Sequence, residues 1–130
     1  MADGNTSTVV WWVAAGGAVG AAARYTLAGI VHRFTSASFP YGTFAVNMIG
    51  CLLFGLIFGL TEQRFQIPPA VRAFLLVGVL GGFTTFSSYA FESFQLLRDA
   101  EYFRASANVA GQVVLGLVCF WLGYLANRVL

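Results

Sequence analysis

The chain has no lysine; its seven basic residues are all arginine. Charge of either sign is scarce, at 9% of 130 residues, where a soluble domain carries about 25%. That scarcity excludes an ordinary water-facing fold. The net charge is only +2 and the arginines are scattered, which excludes a nucleic-acid partner, since that needs a concentrated basic face. Histidine occurs once and cysteine twice. Cys51 and Cys119 lie in apolar runs with no C-x-x-C and no histidine at ligand spacing. This argues against zinc or a disulfide framework and for small buried hydrophobes. The N-terminal stretch MADGNTSTVVWW lacks a basic n-region, so the first apolar run is expected to remain as a span. What is abundant is apolar: 58% hydrophobic residues and a mean hydropathy of +0.77. This is a membrane composition, in a chain with room for one small domain.

A span takes about 20 apolar residues. Four windows qualify, 9–31, 41–60, 73–97 and 105–127, separated by the charged clusters. SASFPYG precedes the second and QIPPAV the third, and proline cannot sit inside a helix without cost. Short connections predict antiparallel sequence neighbours in a four-helix, all-α membrane protein with almost nothing outside the bilayer. The side shared by the N-terminus, the second loop and the C-terminus holds Arg64, Arg72 and Arg128; the other holds Arg33, Arg98 and Arg104. The positive-inside rule therefore gives no orientation. Either other factors settle the topology, or the chain inserts both ways and builds an antiparallel homodimer.

Polar residues within the spans fall on defined faces. Gly16, Gly20 and Arg24 share one face of the first span. The glycines read as helix packing, and Arg24 as either snorkelling to an interface or forming a basic vestibule. The second span carries Thr43, Asn47, Cys51, Gly55 and Gly59, four residues apart. Asn47 offers two N–H donors without charge, for an interhelical hydrogen bond or for an ion stripped of water. In the fourth span Asn108, Gln112 and Gly116 share a face that lines a wet crevice or packs. The third span contains GGFTTFSSYAFE. A break there would free carbonyls for a cation and N–H groups for an anion. Phe83, Phe86 and Tyr89 form a row, and Glu92 reads as an arginine's partner or a proton carrier.

GGAVGAAARY, YGTFAVNMIG and GGFTTFSSYAFE, in that order, closely resemble the small fluoride channels called Fluc or CrcB, over essentially the whole chain. The resemblance implies a dual-topology homodimer of two antiparallel four-helix subunits, with the third helix broken. It implies a structural Na⁺ at the dimer centre, held by backbone carbonyls that map to Gly81 and Thr84. It places Asn47, Phe86, Tyr89 and Thr43 along a fluoride pathway and Arg24 near its mouth. Tyr89 stands where the family usually has Phe, and Gly116 where members often carry a serine. The implied role is not enzymatic: passive fluoride export across the inner (plasma) membrane, conferring fluoride resistance.

Fluoride holds its water tightly, so a pore must offer substitute donors at weak, multiple sites. Uncharged amides, hydroxyls and the positive edges of aromatic rings meet that need. A small multidrug transporter would need an acid in the first span, which has none. A fluoride/proton exchanger would be much larger. A non-transporting subunit would leave the Asn47 stripe and the break unexplained.

Overall fold

The computed structural model describes residues 4–130, with side chains from Thr6 onward. Four helical stretches are long and apolar enough to cross a membrane: Thr6–Phe34, Tyr41–Gln63, Pro69–Arg98 and Tyr102–Ala126. No strand occurs among the described residues. The first two correspond to α1 (Gly4–Phe34) and α2 (Tyr41–Gln63), and the fourth to α6 (Tyr102–Ala126). The third is composite: α3 (Pro69–Arg72), a π-helical stretch Ala73–Leu80, α4 (Gly81–Phe83) and α5 (Phe86–Arg98). Proline sets two of the starts. Pro40 is the N-cap of α2, and Pro68 and Pro69 occupy the N-cap and first position of α3, where a missing N–H costs nothing. The π-helical turns have no sequence signal, because AFLLVGVL reads as any apolar helix.

Glycines decide which helices touch. A Cβ on Gly16 would lie 2.5 Å from the Phe74 carbonyl, and one on Gly20 would collide with the Val79 carbonyl. Gly78 and Gly82 are bare on the facing side, where a Cβ would come within 2.9 Å of the Val13 carbonyl and 2.7 Å of the Gly17 carbonyl. The packing reading of the first-span glycines therefore holds. The same device joins α2 to α6: a Cβ on Gly55 would strike the Phe120 carbonyl, and one on Gly123 the Leu52 carbonyl. In both pairs the register rises together along the two helices, so α1 runs parallel to the third span and α2 parallel to α6. Sequence neighbours are antiparallel, as short loops require, yet the closest backbone approaches join alternate helices.

The third span is interrupted where the chain becomes extended, at Thr84 (φ −80°, ψ 157°) and Thr85 (φ −147°, ψ 112°). The glycines just before it stay helical, with Gly81 at φ −63°, ψ −37°. Gly82 serves the approach to α1, a Cβ on Gly81 would meet only the Leu76 carbonyl of its own span, and the hydroxyl residues carry the break. Thr85 restarts the helix as N-cap of α5, its Oγ1 accepting the Ser88 N–H at 3.2 Å, the arrangement that satisfies an orphan donor of a first turn. The buried apolar core is small, comprising Val46, Leu76, Leu80, Phe83, Tyr89 and Ala105. Large apolar side chains such as Phe86, Phe91, Phe94 and Trp121 lie on the outside, as expected of a chain whose solvent is lipid.

Candidate functional site

The break brings together α2, α5 and α6. Asn47 Oδ1 accepts the Thr85 N–H at 2.9 Å, and Asn47 Nδ2 donates to the Thr85 carbonyl at 3.1 Å. One amide thus pairs with both backbone groups of an extended residue, as a neighbouring strand would. That answers the question any break at membrane depth raises, namely what replaces the missing helical partners. The remaining Asn47 donor goes to Gln112 Oε1 at 2.7 Å.

Beside Asn47 lies a cavity of about 320 Å³ whose wall includes Thr85, Phe86, Tyr89 and Gln112 and no charged side chain. Phe86 is 78% exposed on the single chain, so its ring is held by little of its own fold. The Tyr89 ring is buried, 5.4 Å from that of Phe86 and tilted by 45°. The Tyr89 hydroxyl, the atom that distinguishes it from Phe, donates to the Val109 carbonyl at 3.2 Å. It is tied to α6.

Charge gathers in a second cavity of about 980 Å³, bordered by Arg24, His32, Arg33, Thr43, Ser88 and Glu92. Arg24 also reaches inward, its Nε donating to the Gly82 carbonyl at 3.1 Å. A cation there complements the negative end of the half-helix that stops at the break. Glu92 Oε1 accepts the Thr43 hydroxyl at 2.7 Å, whereas the ion pairs among the described residues, Arg98–Asp99 and Arg104–Glu101, sit at the turn between the third and fourth spans. Glu92 is therefore paired with a hydroxyl and not with an arginine.

The break takes helical donors from the carbonyls on its N-terminal side, those of Gly81 and Thr84 among them. The partner of Gly81 C=O in an unbroken helix would be the Thr85 N–H, which goes to Asn47 Oδ1. That of Thr84 C=O would be the Ser88 N–H, which goes to Thr85 Oγ1. No cluster of three or more His, Cys, Asp or Glu side chains is placed to hold a metal among the described residues, so backbone oxygen is the hard donor set this site offers. Cys51 and Cys119 are free thiols.

Gly116 stands beside the Asn47 cavity, where an added Cβ would meet Cys51 Sγ at 3.5 Å and Met48 Cε at 3.6 Å. Both are ordinary contacts. Gly116→Ser is expected to keep the thermal midpoint of the detergent-solubilised protein, because a helical serine can turn its hydroxyl to the carbonyl four residues back. A loss of folded protein on this substitution would show that the α2–α6 contact is tighter than drawn.

Sequence reasoning brought Thr43, Asn47, Phe86 and Tyr89 forward together, and the structure divides them. Asn47, Phe86 and Tyr89 share one cavity, while Thr43 and Arg24 border the other. What it left open was the fourth span. Asn108 and Gln112, four residues apart, are buried and hydrogen-bonded to each other and to α2 and α5. The spacing put them on one face, and only the tertiary contacts showed what that face meets.

The site is that of a small multi-pass membrane protein with an uncharged polar centre and a charged cavity beside it. The family described as CrcB-like protein, Camphor Resistance (CrcB) matches residues 11–124, and the chain belongs to it. It is 45% identical over 119 residues to "Fluoride-specific ion channel FluC" of Maridesulfovibrio salexigens, covering 92% of this chain and 94% of the relative. Proteins of the same name from Nitrosococcus oceani (46% over 119 residues, 92% and 95% covered) and Geobacter sulfurreducens (46% over 121 residues, 93% and 98%) are equally similar. The relatives are named as channels, not enzymes.

Proposed function

We propose that the chain is a fluoride-selective passive channel that lets cytoplasmic fluoride leave across the inner membrane and so confers fluoride resistance. The observation that carries this reading is the Asn47–Thr85 centre: neutral N–H donors beside an exposed aromatic ring, in a cavity without charge. A fixed cation in that wall would hold an anion too firmly to release it. Donors without charge exchange for hydration water at a depth the ion can leave. Arginines at the mouth gather anions without binding them at the centre. The relatives' shared name points to fluoride. An inside-negative potential drives the anion outward, at about 2.3 kcal/mol per 100 mV.

The channel is an antiparallel, dual-topology homodimer in this reading. Support comes from the equal arginine counts on the two sides and from the exposed Phe86 ring beside the polar cavity, which the single chain leaves open. A sodium ion would be held by the Gly81 and Thr84 carbonyls of both copies, whose donor set is uncharged oxygen at a helix break. Bound there, it supplies fixed positive charge at the dimer centre without lining the pore. Thr43, hydrogen-bonded to Glu92, lines the charged cavity at which the ion would gather.

Reconstitution tests the reading. Fluoride-loaded liposomes are expected to empty when a potassium ionophore supplies counter-current, and chloride-loaded ones to stay full. Retained fluoride, or equal loss of both anions, refutes it. For topology, a cysteine introduced in the 64–68 loop of a variant lacking the native thiols is expected to react from both faces of intact cells. Labelling from one face alone rules out dual insertion.

A further inference from the structure

The Asn47 amide heads a buried chain of hydrogen bonds that ends at the backbone of α5. Asn47 Nδ2 donates to Gln112 Oε1 at 2.7 Å, and Gln112 Nε2 to Asn108 Oδ1 at 2.8 Å. Asn108 Nδ2 donates to Ser93 Oγ at 2.9 Å, and Ser93 Oγ to the Tyr89 carbonyl at 2.7 Å. Every donor points the same way. Turning any one amide over would set two donors or two acceptors against each other, and a polar group left unpaired in a dry interior is costly. The direction is fixed at both ends, by the Thr85 backbone at Asn47 and by the Tyr89 carbonyl beyond Ser93.

This bears on the anion. Two of the three Asn47 hydrogen bonds are bound up with Thr85. The N–H that faces Gln112 is the one a passing ion can take without opening the break. Gln112 borders the Asn47 cavity; Asn108 does not, and it is completely buried. We propose that Gln112 and Asn108 are positioning residues for Asn47: Gln112 Oε1 is the acceptor that holds the mobile N–H between ions, and Asn108 keeps that oxygen turned toward it. The proposal rests on the fluoride-channel reading of the same site. Gln112 competes with the anion, so its hold on Asn47 sets how tightly the ion is kept.

Gln112→Met removes the competing oxygen at similar volume, and Asn108→Leu removes the support behind it without touching the cavity. Asn47 keeps Thr85 as its partner in both, with the Gln112 side of its amide less firmly held. Each variant is expected to lower the fluoride concentration giving half-maximal efflux from liposomes by about threefold to tenfold, the equivalent of one net hydrogen bond. The double variant is expected to do no more than either single one. Gln112→Glu is the control for folding and direction. Its neutral carboxyl offers a carbonyl to Asn47 and an O–H to Asn108, reproducing both bonds, whereas its ionised form cannot donate to Asn108. Its efflux is expected to match the parent at low pH and to fall as the pH is raised.

Unchanged half-saturation in both single variants, an effect confined to Gln112→Met, or a flat pH profile for Gln112→Glu would overturn the proposal. A parent protein that passes no fluoride would instead overturn the channel reading. The ladder is then judged by hydrogen exchange at the Thr85 amide in fluoride-free protein. Asn108→Leu is expected to speed that exchange about threefold to tenfold, as a looser Asn47 amide releases the N–H more often. Unchanged exchange rejects the ladder on its own terms.

Discussion

Asn47→Leu is expected to stop fluoride efflux and to weaken the fold together. The leucine removes the side chain that pairs with both backbone groups of Thr85, and it leaves Gln112 Oε1 without its Asn47 donor. Three polar groups at membrane depth lose partners. Interhelical hydrogen bonds in membranes are worth about 0.6 to 2 kcal/mol each, so the expected loss for three is roughly 2 to 6 kcal/mol. Some of it is recovered if the third span re-forms helix across Thr84 and Thr85. The measurements are fluoride release from proteoliposomes and the thermal midpoint in detergent. A variant that melts early but conducts would separate Asn47 from the pathway and leave it a brace for the break. One that conducts and melts like the parent would remove both roles.

Phe86→Ile separates what Asn47→Leu combines. The Phe86 ring is 78% exposed on the single chain and its one ring neighbour within the chain is Tyr89, at 5.4 Å. Little of the subunit's own packing depends on it, so the stability of the folded chain is expected to change by less than about 1 kcal/mol. An aromatic ring has a positive edge that can face an anion, and an aliphatic side chain of similar bulk does not. Efflux is therefore expected to fall on the order of tenfold or more, since each 1.4 kcal/mol added to a barrier is a factor of ten in rate. Fluoride release, with chemical cross-linking to compare the oligomeric state with the parent's, checks this. Unchanged release excludes the ring from the path.

The two substitutions also mark how far sequence and structure each reach. Four apolar runs and the lack of charge made the all-helical membrane class legible, because hydropathy at 20-residue length is a one-dimensional signal. The third-span interruption was legible as a region, from glycines and hydroxyls at membrane depth. Its position was not: Gly81 and Gly82 stay helical, and Thr84 and Thr85 are extended. A glycine that breaks a helix and one that admits a neighbouring backbone look alike in sequence, and the difference lies in α1, where Gly16, Gly17 and Gly20 wait opposite. The π-helical turns of Ala73–Leu80 were illegible for a similar reason, since their residues suit any apolar helix.

The candidate site shows the same division. Asn47 drew notice because an amide in an apolar span must find partners. Which partners it finds depended on α6 running parallel to α2 in a register that sets Gln112 opposite it. Glu92 could have met an arginine; the fold gave it Thr43. Composition and periodicity by themselves determined that this chain crosses a membrane four times and which faces of its helices are small or polar. They could do so because lipid penalises every exposed polar group, which makes the pattern of apolar residues decisive. Only the tertiary structure decided where the third span opens, how Asn47 takes up the Thr85 N–H that the break releases, and that Gln112 and Asn108 stand behind it. Those are contacts between residues far apart in the chain, and no local pattern records them.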